Sequence, residues 1–501
     1  MPAHFLALDA GTGSGRAVLF DEAGNQLACA REEWSYESTH HPGDMVAGHH
    51  FDADRFWGLL ARASRAALAA AGVEPGSIAG VAATSQREGS VFLDGRGREL
   101  LATPNFDSRA IAEGVDVLQR LGADRLYEIT GHEPPFIFPL SRLLWWRSRH
   151  PETPVASLLM IDHWVTYRLT GERVAEPSNA AESLLFDVAA GGWSDEIREA
   201  FDVSDAILPR LAMGGSPAGF VSAEAAAATG LREGTPVFVG GADTQCALLG
   251  SGVVEAGAVG AVLGTTAPVQ MVLDRPLSDG DRHLWLSPHV CAGRWVIESN
   301  AGDGGKAFAW LLELLDVPSS DDASFAAIET EAERADPDVP VYAFIGPSIF
   351  NLRSMNPSRA AGLLFPYPFG RRRPAKPELL RGFLESLAFA VRGNLEQIES
   401  VTGRRAASVT LSGGMTKSRL ARRLVAQLLG RPVAAGAVAE SAALGCAVLA
   451  AAGAGVYPDV GSAAARMVRT EEIEAEDPGA TEDRYRKWRE LNDTLERITI
   501  P

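Results

Sequence analysis

Apolar positions along the chain gather in short runs that stop at glycine, alternating with stretches of helical 3.6-residue spacing, and this succession predicts an α/β protein. Residues 5–20, FLALDAGTGSGRAVLF, read as two strands joined by a glycine-rich loop that carries Asp9, Gly11, Thr12, Gly13, Ser14 and Arg16. A helix is expected from about Ala53 to Ala71, with Phe56, Leu59, Leu60 and Ala67 on one core-facing stripe. The run SIAGVAATSQREGSVFLD predicts a buried strand, a polar step of Gln86, Arg87 and Glu88, and a second strand. Further on, GTPVFVGG delivers Asp243 to the start of a small-residue helix. Two alternating runs, AVGAVL and APVQMV, then flank Gly264, Thr265 and Thr266.

Between and after these landmarks the same pattern continues. A helix stops at Gly171 before a loop with Glu176, Ser178 and Asn179. Gly302, Gly304 and Gly305 open an amphipathic helix, where glycine permits close approach of a ligand. ELLRGFLESLAFAVRGNLEQI predicts a strong amphipathic helix. SVTLSGGMTKS then gives a strand, the Gly413-Gly414 loop and a helix near Ser418. AESAALGCAVLAAAGAG is a helix of very small residues, suited to close backbone packing or to a flat ligand. The segment 366–377, with its arginine run, reads as a solvated loop, and the charged tail carries a helix near Tyr485 to Leu495. Trp145 and Trp146 are expected in the core. Two glycine-threonine hairpins, one in each half, suggest a duplicated plan with a boundary near Gly250, hence domains 1–250 and 251–501.

Composition narrows the function. A length of 501 residues suffices for two domains with separate cores. The formal net charge of −18 argues against a nucleic-acid partner, which wants a basic face. No run is long and apolar enough for a membrane span, and MPAHFLALDAG lacks the features of a signal peptide, so a cytoplasmic protein is expected. Cys29, Cys246, Cys291 and Cys446 are far apart and form no CxxC, which indicates neither a zinc site nor a disulfide framework; all four are expected to be buried and reduced. His40, His41, His49 and His50 lie in a polar loop between Trp34 and Phe51, without the cysteine or spaced carboxylate that would complete a metal set.

The chemistry points to phosphate. A carboxylate beside a turn whose successive N–H groups form an anion-binding concavity suits phosphoryl transfer, the carboxylate taking a hydroxyl proton or helping to hold a metal. Asp9 at the end of a buried strand needs a metal or an N–H partner. Gln86, Arg87 and Glu88 are either a solvated turn or a clamp for vicinal hydroxyls, with Arg donating and Glu accepting. Asn105, Asp107 and Arg109 occupy a similar loop. GTGSG is neither a Walker loop nor a GxGxxG that opens a helix.

In order and spacing these motifs resemble the FGGY carbohydrate kinases over almost the whole chain. DAGTGSGR is similar to their first phosphate motif, SQREG to the sugar-binding segment, and the run from Thr130 to Trp145 to the family signature, with Arg142 where Lys is more usual. GGADTQ resembles the segment of the catalytic base, GTT the second phosphate motif, and SGGMTKS with AESAALG the adenosine region. The resemblance implies two actin-like, ribonuclease-H-like domains with the active site in the cleft between them, and an ATP-dependent kinase of a small polyhydroxylated substrate. It implies Asp243 as base and Arg16 as stabiliser of phosphoryl charge. Asp9 and Asp243 would hold Mg²⁺. Gly11, Thr12, Gly13, Ser14, Gly264, Thr265 and Thr266 would hold phosphate. Gly305, Gly413, Gly414 and Ser418 would border adenosine, and Gln86, Arg87, Glu88 and Asp107 would read the substrate.

LDAGTGSGRAVLFDEAGNQ, REGSVFL, NFDSRA, LSRLLW and EPSNA are most similar to the autoinducer-2 kinases within that family. TTAPVQ lacks the bulky aromatic expected there, and His50 stands where Glu often does. Ser418 and Ile137 replace the Asn and Tyr of glycerol kinases. The substrate is therefore open between dihydroxypentanedione, the linear form of autoinducer-2, and pentuloses or polyols such as xylulose, ribulose, erythritol and glycerol. A non-catalytic nucleotide-gated sugar sensor is the competing class, and it would need the phosphate cradle without the base. A homodimer is compatible with the sequence, which does not show oligomeric state.

Overall fold

The computed structural model describes residues 3–277, 279–318, 322–351, 359–366, 373–474 and 481–500, with side chains described from residue 326 in the helix Asp322–Glu333. Two sheets organise the chain. The first runs Pro217–Phe220, Pro236–Ala242, Ile78–Ser85, His4–Ala10, Ser14–Asp21, Gln26–Glu33, and the second Trp285–Pro288, Trp295–Asp303, Thr266–Leu273, Val259–Val262, Val409–Ser412, Val433–Gly436, Thr470–Ile473. Each is built on one plan: a three-strand antiparallel meander whose first strand pairs in parallel with a distant fourth, which pairs in parallel with a fifth. The architecture is α/β, and the duplicated plan expected from the two glycine-threonine hairpins is present in the sheets.

Strands buried on both faces need helices on both sides. On one face of the first sheet lies Ala53–Ala71, capped at its start by the Asp52 carboxylate on the Arg55 N–H and at its end by Gly72 in the left-handed region. These bounds coincide with the sequence expectation. On the other face lies Ser441–Gly453, although it belongs to the second half of the chain. It also crosses Asp243–Gly250 at glycines: a Cβ on Gly445 would lie 2.0 Å from the Cys246 carbonyl oxygen, and one on Gly250 2.0 Å from that of Ser441. The small-residue helix thus serves close backbone packing. The amphipathic Lys376–Thr402 and Arg419–Leu429 cover the second sheet.

Several expectations are met and others corrected. Trp145 and Trp146 are buried, and the tail helix is Thr481–Leu495. The cysteines are not all buried: Cys29 is exposed and Cys291 half-buried, because Cys29 lies on the edge strand Gln26–Glu33. Distance along the chain does not keep them all apart in space. Cys246 and Cys446, 200 positions distant in the chain, meet at 3.8 Å between their sulfurs at the helix crossing, and both are free thiols. The histidine loop contains a short hairpin of Glu37–Thr39 with Gly48–His50. Within the expected solvated loop 366–377, residues 367–372 lie outside the described residues. Among the described residues no helix is long and apolar enough to cross a membrane.

The crossing makes the sign of one substitution depend on place. Gly445→Ala should destabilise the protein by about 2–3 kcal/mol through backbone overpacking. In contrast, Gly58→Ala, mid-helix and with open space around its added Cβ, should stabilise it by about 0.5–1 kcal/mol. Chemical denaturation of both variants checks the pair, and equal effects would rule out the tight crossing.

Candidate active site

Three neighbouring parallel strands of the first sheet end at one edge, where ligands of open α/β sheets bind. Register places Asp9 beside Thr84, and both Ala10 and Ala242 opposite Ser85. The chain therefore delivers Asp9, the step Gln86–Glu88, and Asp243 to one place. Asp243 is the first residue of the helix Asp243–Gly250 and follows directly on its strand. Beneath it the buried Glu176 accepts from the Ser178 and Asn179 N–H groups and from the Ser178 hydroxyl, while the Ser178 Oγ accepts the Ala242 N–H at 3.1 Å. That network fixes the approach of the strand to Asp243.

The charges at this edge are paired. Arg16 bridges Asp9 (Nη1 to Oδ2, 3.3 Å) and Glu440 (Nη1 to Oε2, 3.0 Å), tying the first hairpin to the head of Ser441–Gly453. Arg87 forms a two-pronged pair with Glu298, Nη1 to Oε2 at 2.8 Å and Nη2 to Oε1 at 2.9 Å, and lies 3.6 Å from Glu182. It also sits over the Trp285 ring, 5.5 Å from the centroid. Gln86, Arg87 and Glu88 are all buried, at 1%, 8% and 6% exposure, so the step is not a solvated turn.

Burial governs the titration of the carboxylates. It pushes Asp243 up to about 7, against the opposing charge of Arg87 and with a further push from Asp9. Glu88 is driven up to about 8 by burial and by the Glu182 charge. Asp9 is raised by burial, with Arg16 opposing. Glu182 goes the other way: burial acts on it as well, but His132 and Arg87 outweigh that and hold it below the usual range.

The remaining expected residues fall into two groups. Gly264, Thr265 and Thr266 form the turn into Thr266–Leu273, and two other segments converge on it. The Gly304 N–H donates to the Thr265 carbonyl (3.0 Å) and the Gly305 N–H to that of Gly264 (2.7 Å). The Met415 N–H donates to Leu263 (3.0 Å), and a Cβ on Gly413 would come 2.6 Å from that same carbonyl. Gly414 starts the next turn, and the Ser418 hydroxyl caps Arg419–Leu429. Beside Ser418 lies a cavity of about 790 Å³ lined in part by Glu329, Lys417, Arg419 and Arg422.

In the first hairpin, Gly11 donates to the Ser14 carbonyl, Gly13 carries no neighbour that a Cβ would meet, and the Thr12 hydroxyl accepts from the Asn105 amide at 3.2 Å. Gln86 turns toward this hairpin and is held by Tyr36, Gly11 and Asn105. Asp107 is fully buried, with both oxygens on the Arg109 Nε, at 3.0 and 2.8 Å. Arg142 ties these loops together by donating to the carbonyls of Glu88, Asp107 and Ile137.

Glu182, Gln270, Trp285, Glu298 and Glu440 were not among the sequence candidates. The second sheet explains three of them, since Gln270 and Trp285 both pair in register with Glu298 and so stand side by side. The signal available was an acidic residue inside an otherwise apolar strand run, WVIES. Among the described residues, Gln270 Oε1 and Gln245 Nε2 are buried without a hydrogen-bond partner, while Glu182 Oε2 faces His132 Nε2 at 3.4 Å. No described cluster of three His, Cys, Asp or Glu side chains is arranged to hold a metal.

Residues 4–250 match the FGGY family of carbohydrate kinases, N-terminal domain, and residues 259–454 match the C-terminal domain of the same family. An autoinducer-2 kinase of Escherichia coli K12 is 32% identical over 97% of this chain and 93% of its own. The fold is shared with a gluconate kinase from Lactobacillus acidophilus (TM-score 0.84, 18% identity, 100% and 99% of the two chains). It is shared as well with a Plasmodium falciparum glycerol kinase bound to ADP (TM-score 0.84, 17% identity, 100% and 99%).

The pKa shift of Glu88 has a consequence for stability. Its folded value, about 8, lies above the ordinary 4.5, so the proton it keeps on folding favours the native state at low pH, and this contribution is lost as pH rises toward 8. Glu88→Gln cannot ionise. Its melting temperature should therefore gain on the wild type by roughly 3 °C between pH 5 and pH 8. A difference that stays constant over that range would show that Glu88 is already ionised at neutral pH.

Proposed function

The chain belongs to the FGGY family of carbohydrate kinases and is an ATP-dependent sugar kinase, and from that premise we propose that Asp243 is the base of the transfer and dihydroxypentanedione its first substrate. The observation that carries the chemistry is the placement of Asp243, a half-buried carboxylate at the head of a helix whose affinity for protons is brought near neutrality. A base with a pKa near the working pH combines an available carboxylate with enough basicity to take a hydroxyl proton. The substrate assignment rests on the 32% identity to an autoinducer-2 kinase.

In this reading the substrate hydroxyl faces Asp243, and its other oxygens meet Gln245, Gln270, Glu182 and the remaining N–H groups of Arg87. Buried polar atoms without partners cost free energy, so hydroxyl groups that satisfy them gain affinity. Asp107 shapes the adjoining loop through Arg109. The hairpins at Gly11–Ser14 and Gly264–Thr266 receive the phosphates, and Gly305, Gly413, Gly414 and Ser418 border the adenosine, a placement supported by the convergence of their segments on the Gly264–Thr266 turn. Arg16 steadies the phosphoryl oxygens. Asp9 and Asp243 supply two hard oxygen donors at the ends of the two strands that flank Ile78–Ser85, a set that suits Mg²⁺ when phosphates and water complete the shell. The ion would neutralise charge on the phosphates. Residues 1–250 and 251–501 are proposed as the two domains.

Two measurements test this. Asp243→Asn should keep ATP binding within a few fold and lose roughly two to four orders of magnitude in turnover. In the wild type, kcat/KM should rise with pH through a limb near 7 as Asp243 loses its proton. Near-normal turnover of the variant would remove Asp243 as the base. For the substrate, ADP release should be measured with dihydroxypentanedione, xylulose, ribulose, erythritol and glycerol. The diketone should give the highest specificity constant. A pentulose or polyol well above it would replace the assignment while leaving the kinase intact.

A further inference from the structure

The sugar-facing edge contains four arginines, and each is already matched by carboxylate. Arg16 is held by Asp9 and Glu440, Arg87 by Glu298 and Glu182, Arg109 by Asp107, and Arg142 lies 3.5 Å from Asp107. For Arg87 the match is geometrically complete. Both terminal nitrogens are taken by one carboxylate, in the fork arrangement by which a guanidinium would otherwise grip a carboxylate ligand. That carboxylate comes from the opposite sheet. Glu298 is 2% exposed, is fixed by the Gln270 amide (Nε2 to Oε2, 2.7 Å), and stands in register with Trp285, whose ring lies under the same guanidinium.

Building on the kinase reading above, we propose that Glu298 is a specificity-determining residue that occupies the anion position of Arg87, so that the pocket accepts neutral polyhydroxylated substrates and rejects sugar acids. The physical reason is double. A substrate carboxylate entering the pocket would find no uncommitted cation, and it would lie among Glu182, Glu298 and Asp243 in a medium where like charges repel strongly. A neutral hydroxyl entering the same place can donate its proton to Gln270 Oε1, a buried acceptor without a hydrogen-bond partner. Trp285, buried beneath the guanidinium, closes the far side of Arg87. A fold that also serves a gluconate kinase is thereby set for uncharged substrates through one side chain of the second sheet.

The experiment compares an acid with its neutral counterpart: gluconate against glucitol and xylonate against xylitol. Binding is measured by calorimetry in the presence of a non-hydrolysable ATP analogue, and activity by ADP release. The wild type should bind the neutral member of each pair at least tenfold tighter. Glu298→Gln keeps the shape and one of the two hydrogen bonds from Arg87 but removes the charge, and it should bind gluconate and xylonate at least tenfold tighter than the wild type does. Glu298→Ala, which empties the position, should do the same, and any gain in activity should appear in KM rather than kcat. Wild-type binding of gluconate equal to that of glucitol overturns the proposal. So does an unchanged acid-to-neutral ratio in whichever of the two variants folds and binds nucleotide. Because the binding ratio does not need turnover, failure of dihydroxypentanedione or of Asp243 as base is read separately from failure of this proposal.

Discussion

The crossing of Asp243–Gly250 and Ser441–Gly453 at Gly250 and Gly445 is the contact on which the site depends. With no side chain at either glycine, the two backbones approach until a single added carbon would collide with a carbonyl. One helix begins with Asp243 and the other directly follows Glu440. Bringing the helices together therefore sets the proposed base and the partner of Arg16 on a common frame, and places an element of the second half against the first sheet. Cys246 and Cys446 meet in the same layer, both buried and filling it as small apolar side chains.

Around that frame the site is a problem in charge balance. Removing carboxylates from water raises their affinity for protons, and removing arginines does the reverse, so each group survives burial by pairing. The pairs are not symmetrical in consequence. Glu298 holds Arg87 from across the cleft and leaves Asp243 with only a diffuse share of that positive charge, so burial prevails and its pKa stays near 7. A carboxylate paired directly with arginine would be a much weaker base. The same pairing occupies the cation that a charged substrate would need, so the proposed base strength and the proposed selectivity share one origin.

The sequence alone determined the alternation of strands and helices, the repeat of a glycine-threonine hairpin in each half, and the segments that carry Asp9, Gln86–Glu88 and Asp243. These are local signals: side-chain period, glycine where the backbone turns, polar residues at strand ends. What lay beyond it were contacts between residues far apart in the chain. Glu298 and Gln270 look like ordinary strand positions until register sets them beside each other and packing sets Glu298 against Arg87, 211 residues away in the chain. Asp107 reads as a loop carboxylate, and only the packed loops show it committed to Arg109 and close to Arg142. The cysteines look unrelated until two helices cross. Charge pairing and burial are properties of neighbours in space, and so which carboxylates are neutralised, and which stays basic, was decided by the tertiary structure.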